Sequence, residues 1–319
     1  MKKILGFFIV LFSLGLNAQT FPVKPVKIVV GFSAGGPTDV IARILAQDMT
    51  ATLGQTVLVE NKAGAASMIA TQEVKRATPD GYTLYMTTLT HSVNAILYAD
   101  KKPYDPIADF TPVSLVCHLP LVMVSKGDSP FNTVTDVVNA AKAKPGEVTY
   151  ASSGTGGSAH LAGALVEALS NTRMTHVPFK GNAPALTEVM AGRISFMFYP
   201  MVGIAEQVAQ KRLKVLAVST EKRHADFPGV PTMSESGFPG FEEYTQGLGI
   251  VGPAGLPAPV VNRLNEAIRA SLAKPETAEK LKALGAITQA STPAEFRSFL
   301  VKDLERWARV IKAAGVKAE

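Results

Sequence analysis

Apolar positions follow two rhythms along this chain. Short runs rich in β-branched and aromatic residues, such as "VKIVVG", "TVLVEN" and "YTLYMTT", alternate with stretches whose apolar residues recur every three to four positions. After "VKIVVG", residues Val40, Ile41, Ile44, Leu45, Met49 and Leu53 share one helical face. A second helix is expected around 66–77, after "TVLVEN", and the turn Pro79-Asp80-Gly81 introduces "YTLYMTT". Beyond "PVSLVCHLPLVMVS", residues 112–125, a second series begins. It reads as a helix near 133–143, "VTYASS", a helix from Ser158, "THVPF", a helix near 183–191, "ISFMFY", a helix near 202–210 and "LKVLAVS". The tail offers a strand, "GLGIVGP", and is then mostly helical over 257–317, where Val301, Leu304, Trp307 and Ile311 have the spacing of a core stripe. Strand–helix alternation of this kind predicts α/β layers with largely parallel strands.

The first residues have a different character. Lys2 and Lys3 precede an apolar run over 4–16, and Asn17-Ala18 supplies a small residue for cleavage. That is the pattern of a secretory signal peptide, expected over 1–18. The run is short of the roughly 20 residues needed to span a bilayer. About 300 residues remain, enough for two lobes with a core each. Without the two leading lysines the charge is +4, from 30 basic against 26 acidic residues. No block of like charge suggests a nucleic-acid face, although the mild excess biases anions toward a cleft. Cys117 is the only cysteine, flanked by apolar residues, and is expected to be a small buried hydrophobe. A secreted chain without disulfides fits a bacterial periplasm. No His, Cys, Asp or Glu spacing suggests a metal, and no motif suggests a cofactor.

Chemistry concentrates in two loops. "VVGFSAGGPTD" and "TYASSGTGGSAH" each place a Ser/Gly-rich loop between a strand and a helix, about 120 residues apart. In the first, Gly35 and Gly36 permit close backbone approach and Pro37 suits a first helical position. Ser33, Thr38 and the free N–H groups of the helix start converge on one spot. A helix N-terminus carries partial positive charge, so this is a seat for an anion. The second loop repeats the chemistry with Ser152, Ser153, Gly154, Thr155, Gly156, Gly157 and Ser158. Neither loop has the Gly-Lys-Ser/Thr or Gly-x-Gly-x-x-Gly of a nucleotide site, which points to a carboxylate held by neutral donors. Gly31-Phe32-Ser33-Ala34-Gly35 also matches the Gly-x-Ser-x-Gly elbow of serine hydrolases, so a secreted esterase using Ser33 is the alternative. Its context is poor: it follows the first mature strand, with no upstream glycine-rich loop and no acid-then-His pair marked by its setting.

A resemblance covers nearly all of the mature chain. "VGFSAGGPTDVIAR", "VENKAGA", "PDGYTLYM", "YDPIADFTPVSLV", "YASSGTGGSAHLAG", "HVPFKGNAPALTEVMAGRISFMF", "LKVLAVSTEKRHADFPGVPTMSESGFPGFE" and "GPAGLPAPVVNRLN" resemble, in order and spacing, the periplasmic receptors of tripartite tricarboxylate transporters, the Bug family. It implies a type II-like, two-lobed binding protein, each lobe a mostly parallel sheet flanked by helices. Lobe 1 is expected over 21–125 and 238–319, lobe 2 over 126–237, with hinge crossings near 120–127 and 230–245. The resemblance also implies a small carboxylate ligand, membrane transporter subunits as partners, and no enzymatic activity; the chain is expected to be a monomer. Carried over residue by residue, the ligand-binding positions are Phe32, Ser33, Ala34, Gly35, Gly36 and Thr38 in one lobe and Ser153, Thr155, Gly156, Gly157 and Ser158 in the other. Asp39 is expected to orient its loop rather than touch an anion. Thr88 and His91, at a strand end, and His160, in the first turn of the second helix, are weaker candidates, each as suited to fixing a loop as to touching ligand. Lys180-Gly181 matches a family motif and is expected either to add a charge near the cleft or to lie on the surface.

Two departures bear on the ligand. Relatives commonly carry an Asp after "ISFMF", which answers a ligand ammonium in amino-acid binders; here Tyr199-Pro200 follows. Many carry a Trp at the position of Gly247. Loss of the acid and of the bulk argues against an α-amino acid and for a flatter or longer acid, an aromatic mono- or dicarboxylate first.

Overall fold

The computed structural model describes residues 21–318; the expected signal peptide lies outside them. Numbered in chain order, one sheet holds β1 (Val26–Val30), β2 (Val57–Asn61), β3 (Thr83–Thr87), β4 (Phe110–Leu119), β10 (Gln246–Pro253) and β11 (Ile287–Thr288), in the order 11-4-10-3-1-2. The other holds β5 (Leu121–Lys126), β6 (Thr149–Ser152), β7 (Thr175–Pro178), β8 (Phe196–Pro200) and β9 (Leu213–Val218), in the order 7-6-8-5-9. Helices α1 (Pro37–Leu53), α2 (Met68–Lys75), α3 (Thr90–Leu97), α8 (Ala258–Ala273) and α9 (Pro275–Ala283) accompany the first sheet. Helices α4 (Val134–Ala143), α5 (Ser158–Ser170), α6 (Asn182–Met190) and α7 (Ile204–Ala209) belong to the second series, and α10 (Pro293–Ala314) closes the chain. None of these is long and apolar enough to cross a membrane.

The expected alternation is present, but both sheets are mixed rather than mostly parallel. Pairs β1–β2, β1–β3, β6–β7 and β6–β8 are parallel. Pairs made by β10 with β3 and β4, by β11 with β4, and by β5 with β8 and β9 are antiparallel. The cause is connectivity: a parallel neighbour needs a crossover, and each parallel pair is built from strand–helix–strand units. Strands β4, β5 and β10 instead carry the chain between sheets, and they run against their neighbours.

The first crossing is abrupt. Only Pro120 separates β4 from β5, and its carbonyl accepts the Met201 N–H at 2.9 Å. The first sheet therefore ends at Leu119, and 121–125, expected in lobe 1, pair within the second sheet. The return runs through 219–245, where Val218 bridges Thr232 and a 3-10 turn spans Phe241–Tyr244.

Helix α10 departs further from the expected boundary. Pro293 opens it inside a capping box of Thr292 and Glu295, and a left-handed Gly315 ends it. Its buried stripe is Phe296, Leu300, Asp303, Trp307, Val310 and Ile311; Val301, placed on the stripe by spacing alone, is exposed. Phe296 and Leu300 pack with Val29, Tyr85 and Val251 of the first sheet. Trp307, Val310, Ile311 and Ala314 join Leu121, Met123, Phe196 and Phe198 of the second. One helix thus inserts into both cores. At its middle, the Asp303 carboxylate accepts from Ser92 Oγ of α3 and from Trp307 Nε1, each at 3.0 Å, and pairs with Arg306. Arg306 donates onward to the Thr245 carbonyl at 3.2 Å. Cys117 is fully buried in β4, and burial pushes its thiol up to about 12.

Candidate functional site

The first loop runs from the end of β1 into α1. Gly31 lies so close to Ser67 that a Cβ there would sit 2.2 Å from the Ser67 Cβ. Gly35 adopts φ +75°, which glycine reaches without strain. The fixing group is Asp39: its carboxylate accepts from Gly35 N–H and Arg43 Nε, both at 2.9 Å, and from Asn61 Nδ2 at 2.9 Å. Asn61 Nδ2 also reaches the Phe32 carbonyl at 3.0 Å. Burial alone would raise the Asp39 carboxyl, but the bonds from Arg43, Gly35 and Asn61 outweigh it and hold it below its usual range. Asp39 is consequently an occupied anion that shapes the loop. Phe32, Gly36 and Thr38 are buried, while Ala34 and Gly35 form the exposed tip.

The second loop, between β6 and α5, is held from the opposite side. Ser152 Oγ bridges His176 Nε2 at 2.6 Å and the Gly154 N–H at 3.1 Å. Gly156 N–H donates to His160 Nδ1 at 3.0 Å, which places the ring proton of neutral His160 on Nε2. His160 stacks on His176 with centroids 3.8 Å apart, and burial holds His176 down at about 4. His160 therefore braces the loop, and its ring lines a cavity beside Glu167 and Lys317. Ser153, Gly157 and Ser158 are buried, and Thr155 is half-buried.

The two loops belong to different sheets, yet each touches the other half of the molecule. A Cβ on Gly154 would lie 3.3 Å from the Ala66 Cβ, and one on Gly156 about as close to Val93 and Leu97 of α3, at 3.0 and 2.9 Å. A Cβ on Gly181, just before α6, would fall 2.2 Å from Ser33 Oγ. Three further segments thus meet the loops: residues 64–67, Asn94, and Gly181 with Asn182; of these only the Lys180-Gly181 motif carried an expectation, either near the cleft or on the surface. Within the first, Ala65, Ala66 and Ser67 take φ of 45°, 46° and 73°, three successive left-handed non-glycine residues. Such conformations cost on the order of 1 kcal/mol each and persist only where surroundings enforce them. Here Asn94 Nδ2 donates to the Ala66 carbonyl at 2.9 Å, and Ser67 Oγ contacts Thr90 Oγ1 at 2.7 Å and Tyr85 OH at 2.9 Å. The motifs "VENKAGA" and "FKGN" were the available signal, but a left-handed alanine leaves no mark in sequence. A cavity of about 570 Å³ opens between the second loop and the 64–66 segment, lined by Ala66, Tyr98, Ser153, Thr155 and Lys180. A larger groove of about 750 Å³ lies between α3 and α10, away from both loops.

Four expected positions fall elsewhere. Thr88 is buried with its hydroxyl against Thr90 Oγ1 at 2.9 Å, in the network beneath the left-handed turn. His91 is fully buried, stacked on Tyr104, edge-on to Phe110 and bonded through Nε2 to the Pro106 carbonyl at 2.9 Å. Gly247 gives its missing side chain's place to Phe299, whose ring would be 2.5 Å from a Cβ there. The space read as a slot for ligand is filled from α10. Tyr199 is buried beside Met197, Ala185 and Leu186, and burial raises its hydroxyl above the ordinary value. Ser33 Oγ is buried and has no hydrogen-bond partner among the described residues.

Burial holds His91 at about 4, against 6.5 for the free side chain. The unfolded chain therefore takes up a proton that the folded chain refuses. Stability from neutral His91 is complete above about pH 6.5 and lost as pH falls toward 4, on the order of 3 kcal/mol. Melts at pH 7 and 4.5 measure it: His91→Gln is expected to show a shallower decline than wild type, and equal declines would place the titration elsewhere.

Two lobes, joined at crossings and each carrying a glycine-rich helix-start loop toward the other half, have the architecture of a solute-binding protein. The profile described as tripartite tricarboxylate transporter family receptor matches residues 41–316, and the chain belongs to that family. A Pseudomonas sp. (strain P51) protein encoded in the tcbD-tcbE intergenic region is 38% identical over 294 residues, covering 92% of this chain and 87% of its own. The periplasmic binding protein BugD superposes with a TM-score of 0.89 at 35% identity, over 94% of this chain and all of that one. MatC from Rhodopseudomonas palustris, solved with malate, gives 0.86 at 30% identity over 91% of this chain and 100% of its own. An R. palustris protein solved with adipate gives 0.88 at 30% identity, over 93% and 99%.

Proposed function

We propose that this chain is a periplasmic receptor that closes over one small carboxylate lacking an ammonium group and delivers it, as a monomer, to the membrane subunits of a tripartite transporter. The observation that carries the reading is the placement of the two helix-start seats on different sheets, with the second packed through Gly154 against Ala66 of the other half. Only closure brings both to one ligand, and the crossings at Pro120 and 219–245 supply the hinge. The malate- and adipate-bound relatives support a carboxylate. Against an ammonium stands the occupied state of Asp39, already bonded to Arg43 and Asn61. The aromatic preference rested partly on Gly247, which Phe299 fills, so aromatic acids enter the test as one arm.

A thermal-shift screen of mono- and dicarboxylates tests the class. A ligand at 100 times its Kd stabilises the fold by about 2.7 kcal/mol, a readily measured upshift. The hit should also shrink the radius of gyration in solution scattering; an unchanged profile would count against closure. Ser33-dependent labelling by an active-site serine probe would instead revive the esterase.

A further inference from the structure

Where α6 meets the first loop, two buried polar atoms lack partners. Ser33 Oγ has none, and neither does Asn182 Oδ1, on a residue only 8% exposed. Their neighbourhood is fixed by backbone. Gly181 abuts Ser33, and a Cβ on Gly36 would lie 3.9 Å from Ala183 N, so Asn182 sits between two residues that face the loop, the N-cap Gly181 and Ala183. Asn182 is also the first residue of α6, after a glycine that supplies no side-chain cap. Three helix starts, of α1, α5 and α6, consequently border the cleft, and the third brings an unpaired side-chain amide with it.

Unpaired buried polar atoms in a native protein call for an explanation, and at a ligand cleft the simplest is the ligand. A serine hydroxyl seeks an acceptor for its proton, which a carboxylate oxygen supplies. An amide oxygen seeks a donor, which a bare carboxylate cannot supply. A ligand that satisfies both carries an acceptor and a neutral donor on adjacent atoms. An ammonium would also donate, but it would set a full positive charge against three positive helix ends with Asp39 already bonded.

We propose that Asn182, with Ser33, is a specificity-determining residue of this receptor, selecting acids that carry a hydroxyl on the carbon next to the bound carboxylate. The inference rests on the carboxylate-receptor reading and narrows it. Ser33 takes the carboxylate oxygen; the Asn182 amide oxygen takes the hydroxyl proton.

Two isosteric trios test it by titration calorimetry: malate, succinate and aspartate, and mandelate, phenylacetate and phenylglycine. Within each, only the substituent beside the carboxylate changes, from hydroxyl to hydrogen to ammonium. The hydroxy acid of the binding trio is expected to bind at least about 10-fold more tightly than its deoxy partner, since a site built around a hydrogen bond rejects the analogue lacking it. Asn182→Ala and Asn182→Leu should both collapse that ratio toward one, whereas Ser33→Ala should weaken hydroxy and deoxy acids alike and preserve the ratio. Equal binding of hydroxy and deoxy acids by the wild type, or a ratio untouched in both Asn182 variants, overturns the inference and leaves the receptor standing. Tightest binding by the amino acid overturns it together with the exclusion of an ammonium. If no acid of either trio binds while another carboxylate of the screen does, the inference is overturned and the receptor stands; if no carboxylate of the screen binds, the small-carboxylate reading itself falls.

Discussion

Gly181→Ala is expected to weaken ligand binding by roughly 100-fold while leaving the melting temperature of the ligand-free protein within a few degrees of wild type. Gly181 has φ 162° and ψ 169°, extended backbone that alanine adopts freely, so the substitution imposes no conformational strain. Its methyl group meets trouble only across the cleft. It would stand 2.2 Å from Ser33 Oγ, which can rotate, but also 2.9 Å from the Ser33 backbone nitrogen, which cannot. Overpacking of this kind costs about 1–3 kcal/mol, and 2.7 kcal/mol corresponds to about 100-fold in affinity. In an open receptor the two segments are apart and nothing clashes. Calorimetric titration with the best acid from the screen, alongside a melt without ligand, separates the two effects. Wild-type affinity in this variant would mean that α6 and the first loop do not meet around the ligand.

The largest stability effect is expected at Trp307, the single tryptophan. It is completely buried, edge-on to Tyr244 with centroids 5.7 Å apart, and donates its indole N–H to Asp303. Trp307→Ala removes that volume from the second core and leaves the buried Asp303 carboxylate short of a donor. Large-to-small changes of aromatic residues cost about 3–5 kcal/mol, and losing a partner of a buried charge adds to it. A fall in melting temperature on the order of 10 °C follows for a chain of this size. Trp307→Phe, which keeps most of the packing and loses only the indole donor, should fall by distinctly less. Similar losses for both variants would show that the hydrogen bond outweighs the packing.

Much of the architecture was legible because it rests on periodicity. The apolar face of α1, the two strand–loop–helix units and the helical tail follow from residue spacing. The crossings were less so. "SLVCHLPLVMVS" reads as one long apolar run, and only pairing with β8 and β9 reveals that Pro120 divides it between sheets. Nothing local distinguishes a helix packed on one lobe from one shared by two, so the second half of α10 was placed in lobe 1. The site divided along similar lines. Helix-start loops carry their chemistry in glycine and serine, and both were readable. Gly247 looks like a gap open to ligand until Phe299 is seen to fill it, and of the two roles open to His91 the fold displays the loop-fixing one, bonded to the Pro106 carbonyl and stacked on Tyr104. Asn182 escaped because its significance lies in having no partner, a property that exists only once the chain is folded.

The unpaired atoms at the lobe contact also bear on the receptor without its ligand. Closing dry strands Ser33 Oγ, Asn94 Oδ1 and Asn182 Oδ1 away from water. Each such burial costs about 1–3 kcal/mol. Even two of them, at about 2 kcal/mol apiece, would hold unoccupied closed molecules to roughly one in a thousand, since every 1.4 kcal/mol is tenfold. A membrane partner that docks only on the closed shape would then meet few false messengers. Filling these positions with apolar side chains would make a receptor that announces cargo it does not carry.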